Sequence, residues 1–202
     1  MTMRIQEGQI YALDTGAVHA VGADLLSDAG DVSVIPHDLM LTLQRVSDAV
    51  TRTVQRGRVP IVLGGDDSLL FACARGLHDA VTGQVGIVHF DAHLDLMDDN
   101  ERQGRFSHSS GMRRALDLQC ISTQHCIQVG SRNFNFPSSF AYKRSEGVRH
   151  ISAVGCHELG VAAVVDRVLE RVSAAEHILL AFDIDAVDPS AAPGAGHTSP
   201  AA

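Results

Sequence analysis

Hydrophobic positions in this chain switch repeatedly between two spacings. From Leu39 to Gly57, "LMLTLQRVSDAVTRTVQRG" places Leu39, Leu43, Val46, Val50 and Val54 three or four apart. That spacing gives a helix one apolar face, and Gly57 is placed to end it. The next run, "VPIVLGG" (59–65), is continuously apolar and predicts a short buried strand. "DDSLLFACARGLHDA" (66–80) predicts a helix that opens on acidic residues, where the helix dipole favours negative charge. "GQVGIVHFDAH" (83–93) reads as a second buried strand, and "SHSSGMRRALDL" (107–118) begins with capping residues and turns helical. "HCIQVGSR" (125–132) predicts a third strand and "GVRHIS" (147–152) a shorter one. "ELGVAAVVDRVLERV" (158–172) puts Val161, Val164, Val165, Val168 and Val172 on one helical stripe, and "HILLAFDIDAVDP" (177–189) is a further strand.

Alternating strands and helices, with strands that are apolar throughout, predict an α/β fold. The strands form a mainly parallel sheet covered on both faces. One domain over 1–202 is expected. Ligands of such sheets sit at the carboxyl ends of the strands. The polar residues collect there: Gly64–Asp67 after "VPIVL", Asp91–Asp95 after "VGIVHF", and Asp183–Asp188 after "HILLAF".

Composition narrows the partners. At 202 residues and 45% hydrophobic, the chain is long and apolar enough for a real core. Net charge is −8 and no Lys/Arg block stands out, which argues against nucleic acid or an anionic membrane and suits a small cation. The amino end, "MTMRIQEGQ", lacks the apolar core of a signal peptide, and no run approaches about 18 apolar residues. Cys73, Cys120, Cys126 and Cys156 show no CxxC spacing and read as free thiols of a cytoplasmic protein.

The chemistry sits in "HFDAHLDL" (89–96), where Asp91, His93 and Asp95 occupy every second position. Side chains two apart in a strand point to one face. Asp183 and Asp185 repeat the spacing, and Asp66 and Asp67 add two more acids. Carboxylates converging at one crevice repel one another, and divalent cations remove the conflict. Oxygen ligands with one imidazole suit Mn²⁺ or Mg²⁺ better than a structural zinc. Asp67 reads either as a ligand or as an N-cap of the following helix. His108 reads either as a site residue or as an ordinary helix-start residue. Arg113 and Arg114 read as a solvated helix face, and His37, His78, His150, His157 and His177 as surface or core residues.

These motifs resemble the ureohydrolases: arginase, agmatinase, formimidoylglutamase and their relatives. "GGDDS" is similar to the family's GGDHS, "FDAHLD" to its D-A-H-x-D, and "FDIDAVDPSAAPGAG" to its F-D-I-D-x-x-D-P-x-x-A-P-G-T-G. "SHSSGMRRA" is a weaker match to H-G-T-P-F-R-R-A, and "SDAGDV" (27–32) resembles an early family segment. The resemblance implies an arginase-like three-layer α/β/α sandwich with two Mn²⁺ ions. Asp91 and Asp183 would bridge both ions, Asp95 and Asp67 would serve the first, and His93 and Asp185 the second. The implied reaction is hydrolysis of a small cationic guanidino substrate to urea and an amine, with Asp95 or His108 relaying the proton to the departing amine. Family members are usually homo-oligomers, so self-association is a possible state.

Three departures qualify the match. Asp67 stands where the family has His. Met97 stands where arginases carry an Asn that reads the α-amino acid end, which favours agmatine or a guanidino acid over arginine. Family chains are also longer, so the domain is expected to be incomplete at both ends. A sheet without its last strands leaves an open edge and an uncovered apolar face. That makes a catalytically impaired or partner-dependent remnant the second reading. A deacetylase-type amide hydrolase is the third, and "DIDAVDPSAAPG" disfavours it.

Overall fold

The computed structural model describes residues 9–20, 26–99, 101–132 and 134–195. Residues 1–8 and Gly196, the last position of the third motif, lie outside the described residues. The chain divides into two compact units, Met1–Val32 and Ser33–Ala202. In the first, β1 (Gln9–Ala12) pairs antiparallel with β2 (Ala17–Ala20), and the turn closes through Gly16 at φ 67°. No apolar periodicity marks this exposed hairpin in the sequence.

The second unit opens with α1 (Leu39–Gln55). Asp38 caps it by accepting from the Leu41 amide at 2.9 Å, and Gly57 follows at φ 72°, the conformation a helix-ending glycine supplies. The predicted stripe buries Leu43, Val46 and Val50 against α2 (Ser68–Ala80). The two helices touch closely at Gly76, where a Cβ would lie 2.5 Å from the Ser47 carbonyl oxygen and 2.7 Å from Val50 Cβ. Ser47 Oγ donates to the Ala72 carbonyl and Thr51 Oγ1 to that of Gly76, both at 2.9 Å.

The sheet follows. β3 (Val85–Phe90) lies between β4 (Ile121–Ser131) and β6 (His177–Phe182), with β5 (Arg149–Ser152) beyond β4, and all pairings are parallel. Three helices complete the unit: α3 (Gly111–Leu116), α4 (Pro137–Ser145) and α5 (Ala153–Val172). Alternation along β3 divides the core. Val85 and Ile87 pack with Leu70 and Ala74 of α2 and Met112 and Ala115 of α3. Val88 packs on the other face with Ile127, Val129, Ile151 and Val172 of α5. Helices therefore cover both faces, as the strand–helix alternation predicts.

Three local expectations differ. "VPIVLGG" is not a strand: residues 59–65 lie outside the sheet, with Ile61 72% and Leu63 92% exposed. An apolar run becomes a strand only where a ladder partner satisfies its amides, and neither edge strand, β5 or β6, pairs with it. The helix predicted over 107–118 is a 3₁₀ turn, His108–Ser110, followed by α3. The valine stripe of α5 is only half used. The helix kinks at Gly160 (φ 76°), and Val164, Val168 and Val172 pack on the sheet while Val161 and Val165 stay exposed. The same face of β6 (Ile178, Leu180, Phe182) is also exposed, because α5 lies over β4 and its neighbours β3 and β5. All four cysteines are free.

Gly76→Ala should destabilise the protein despite adding about 1 kcal/mol of helix propensity. Overpacking into the Ser47 carbonyl costs about 1–3 kcal/mol, whereas exposed Val161→Ala should stay within about 0.5 kcal/mol. Urea unfolding of the two variants checks this, and equal midpoints would mean the α1–α2 contact is loose.

Candidate metal centre

Because β3 and β6 run parallel and in register at Phe90 and Phe182, the residues after each strand emerge side by side. The ladder continues one step further: the Asp183 amide donates to the Phe90 carbonyl at 2.9 Å, and that of Asp91 to Val129 at 3.1 Å. Asp91 thus sits at the middle of the sheet's carboxyl edge, 1% exposed. The chain then turns sharply. Ala92 donates to Asp185 Oδ1 and Leu94 to Asn135 Oδ1, each at 3.1 Å, and Asp95 takes the left-handed conformation at φ 48°. That backbone is rare for a residue other than glycine, Asn or Asp.

Two groups of potential ligands result. Asp67, His89, Asp91 and Asp95 form one, and Asp91, His93 and Asp185 the other; within each, the ligand atoms lie within 4.8 Å of one another. Asp91 belongs to both. Its Oδ2 is 3.0 Å from His89 Nε2 in the first group, and its Oδ1 is 3.4 Å from His93 Nδ1 in the second. His93 Nδ1 is also 3.0 Å from Asp185 Oδ2. Asp67 Oδ2, His89 Nε2 and Asp91 Oδ2 are buried and have no hydrogen-bond partner among the described residues. Buried polar atoms are nearly always satisfied; Asp91 Oδ2 and His89 Nε2 face one another at 3.0 Å without an aligned hydrogen bond and Asp67 Oδ2 has none, an arrangement that suits a bound cation. Carboxylate oxygens with imidazole nitrogens are a donor set for a divalent metal.

The electrostatics agree. Burial, and then the charges of Asp91 and Asp67, push the Asp95 carboxyl well above the usual range. Asp183 is raised by burial and by Asp185, Asp91 and Asp67. Burial would raise Asp91 too, but His89 and His93 hold it below its ordinary value. The Asp185 and Asp91 carboxylates push His93 up to about 10. At neutral pH His93 therefore carries a proton as countercharge, and a metal ion taking its place must release it.

The site residues read from the sequence are distributed unevenly. Asp67 makes no side-chain cap hydrogen bond with α2; Asp66 Oδ1 accepts from the Ser68 amide instead, at 2.9 Å. Asp67 is turned into the first group, and the chain is packed tightly behind it: a Cβ on Gly111 would lie 2.5 Å from the Asp67 carbonyl oxygen and 2.7 Å from its Oδ2. Asp95, Asp91, His93 and Asp185 are all in the groups. Asp183 is in neither, and its Oδ1 accepts from the Asp185 amide at 2.8 Å. His108 lies exposed on the 3₁₀ turn, 3.2 Å from Gln103 Nε2, and is in neither group.

Other residues were not foreseen. His89 has the same period-two spacing as Asp91 and His93, which is the signal that could have found it. Its ring is fixed by Gln128, whose Nε2 is 3.1 Å from His89 Nδ1 and donates to the Leu94 carbonyl at 2.7 Å. Arg132, at the end of β4, donates to the carbonyls of Asp185, Ala186 and Val187 at 2.5–3.3 Å and so pins the loop that carries Asp185. Nothing local in the sequence marks that role. Arg113 and Arg114 are not a solvated face. Arg114 is 2% exposed and pairs with Asp98 at 2.6 Å, and the Arg113 guanidinium lies 3.3 Å from the centre of the Tyr142 ring. Burial of α3 against α2 and the core turns these arginines inward.

The family model that describes the arginase family matches residues 3–201. The chain belongs to the arginase family. It is 32% identical to proclavaminate amidinohydrolase of Streptomyces clavuligerus over 95% of this chain and 64% of that protein. It is 29% identical to the mitochondrial agmatinase of Gallus gallus over 92% of this chain and 54% of that one. The chain thus spans somewhat over half the length of these curated relatives. Formimidoylglutamase from Bacillus subtilis superposes with a TM-score of 0.84 at 27% identity, covering 95% of this chain and 59% of the other. An arginase from the same species superposes at 0.77 and 20% identity, a likeness of fold.

Two tests follow for this arginase-family site. If the first group holds a divalent ion, Gly111→Ala should displace Asp67 and weaken its binding about 10–100-fold, the range for residues that support metal ligands. Gly65→Ala, with nothing within 4 Å of its Cβ, should leave affinity unchanged; calorimetric titration measures both. The second test uses protein dialysed against chelator. Since His93 rises from 6.5 to about 10 on folding, its stabilisation is fully present below pH 6.5 and lost as pH climbs through 10. The melting temperature should fall over that window, and His93→Gln should flatten the decline. An equally steep decline in the variant would refute the pairing.

Proposed function

We propose that the chain hydrolyses a small cationic guanidino compound, releasing urea and an amine, at a centre for two Mn²⁺ ions. The carrying observation is Asp91, one carboxylate whose two oxygens face two different ligand groups. Divalent ions held there would supply Lewis acidity and a water made nucleophilic at neutral pH. Asp67 and Asp95 would hold the first ion, and His93 and Asp185 the second. Asp183, beside Asp91 at the end of β6, is the proposed second bridging carboxylate. Its carboxylate would have to leave the Asp185 amide to take that role. Asp95 is raised towards the protonated form by burial and by its acidic neighbours, which suits a group that protonates a departing amine. His108 is the alternative relay; the Met97 amide ties to Ser109, next to it, at 3.0 Å.

Substrate preference follows from Met97. A thioether donates no hydrogen bond to an α-carboxylate and is only a weak acceptor for an α-ammonium, and an unmet polar group costs about 1–3 kcal/mol. Agmatine or a guanidino acid is favoured over arginine. Two relatives support the class by name, an amidinohydrolase and an agmatinase. No nucleic-acid or membrane partner is proposed. No described helix is long and apolar enough to cross a membrane. We propose a cytoplasmic location, with a homo-oligomer as a possible state.

One observation favours a second reading, in which the fold binds metal but turnover needs a partner: the exposed apolar face of β6 and α5. Urea release from agmatine, 4-guanidinobutanoate and arginine, with added Mn²⁺, separates the two. The first reading expects urea from agmatine or the guanidino acid, faster than from arginine at equal concentration, and loss of both urea release and metal stoichiometry in Asp183→Ala. Arginine as the best substrate would refute the preference. Full metal loading without any urea would favour the partner-dependent reading.

A further inference from the structure

Away from the carboxyl edge, α5, β4 and the start of β5 border an open cleft of about 710 Å³. Arg149 and His150 line it from β5, His125 from β4, and Arg167 and Arg171 from α5, with Glu170 as the acidic side chain on its wall. This gathering of positive charge is unexpected in a chain of net charge −8. The chain has 24 acids, yet neither Arg149, Arg167 nor Arg171 is in an ion pair among the described residues. Arg171 is rigidly held: Nε donates to the Cys126 carbonyl at 3.2 Å and Nη2 to that of Thr123 at 2.6 Å.

The cations also sense one another. Burial and then Arg149 lower the proton affinity of Arg171, and burial, Arg144 and Arg149 lower that of Lys143. Burial and Lys143 act the same way on His150. Like charges that oppose one another around an open cleft are stabilised by an anion that enters it. Guanidinium groups match phosphoryl oxygens with paired hydrogen bonds, and the cleft has the size of a small-molecule site.

We propose that this cleft binds the phosphoryl groups of a small polyphosphate ligand, separately from the metal centre. Arg149 and Arg167 reach the anion from opposite walls, and Arg171 fixes its position at the base. Glu170 limits the site to ligands with enough negative charge to outweigh it. A single phosphate should therefore bind more weakly than a diphosphate.

The test uses the whole chain, dialysed against chelator so that the probe cannot act by sequestering metal. Calorimetric titrations with inorganic phosphate, pyrophosphate and ATP should give pyrophosphate a Kd below about 1 mM and phosphate a weaker one. ATP should bind at least as tightly as pyrophosphate, because it presents one phosphoryl group more; ATP binding weaker than inorganic phosphate would count against a polyphosphate site. Arg149→Gln and Arg167→Gln, which remove no side-chain hydrogen bond seen among the described residues, should each weaken pyrophosphate at least about tenfold, or 1.4 kcal/mol. Arg52→Gln on α1 should change nothing, and Mn²⁺ affinity should hold in all three. No pyrophosphate binding, or equal weakening by Arg52→Gln, would overturn the proposal.

Discussion

The structure around the site depends on one carboxylate kept almost entirely out of water. Burying a charge is costly unless it is paired. Asp91, at the end of the central strand, is paired on both sides: His89 stands by one oxygen, and His93 with its own amide by the other. The neighbouring acids have no such provision. Asp95 and Asp183 are both driven towards protonation by burial and by the charges of Asp91 and Asp67. Protons and imidazolium are the countercharge available to the chain itself, and divalent cations are the stronger alternative for the same oxygens.

Holding that arrangement takes polar residues spread over the whole second unit. Arg132 fastens the end of β4 to the loop carrying Asp185, Gln128 links His89 to the turn after Asp91, and Asn135 holds that turn from the far side. Gly111 brings α3 against Asp67 at a distance no larger residue allows. His89 of β3 apart, the candidate ligands come from short loops, but each loop is tied to a strand or helix end. This is how a site keeps its geometry without regular structure beneath it.

Apolar cover is uneven away from the site. β6 is an edge strand with an exposed apolar face, Val161 and Val165 of α5 are exposed as well, and residues 59–63 carry further exposed apolar side chains. The metal-side face is packed by α2 and α3 and is nearly dry. Apolar cover and the site's hydrogen-bonded loops therefore coincide on one side of the sheet, while the opposite side is covered over β3, β4 and β5 but not over β6.

Local pattern alone determined much of this. The stripe Leu43, Val46, Val50 is a helix face, "VGIVHF" and "HILLAF" are strands, and acids two apart after such strands share a crevice. The arginase family itself was legible from "FDAHLD" and "FDIDAVDP". Tertiary structure decided the rest. It left "VPIVL" outside the sheet, drew His89 into the ligand group while His108 stayed at the surface, and turned Arg114 inward. The reason is physical. Periodicity reports which face of an element is apolar, a property of neighbours in sequence. A ladder partner, a pairing register or a hydrogen bond such as Ala92 to Asp185 is supplied from far along the chain, and only the folded arrangement brings those groups within reach.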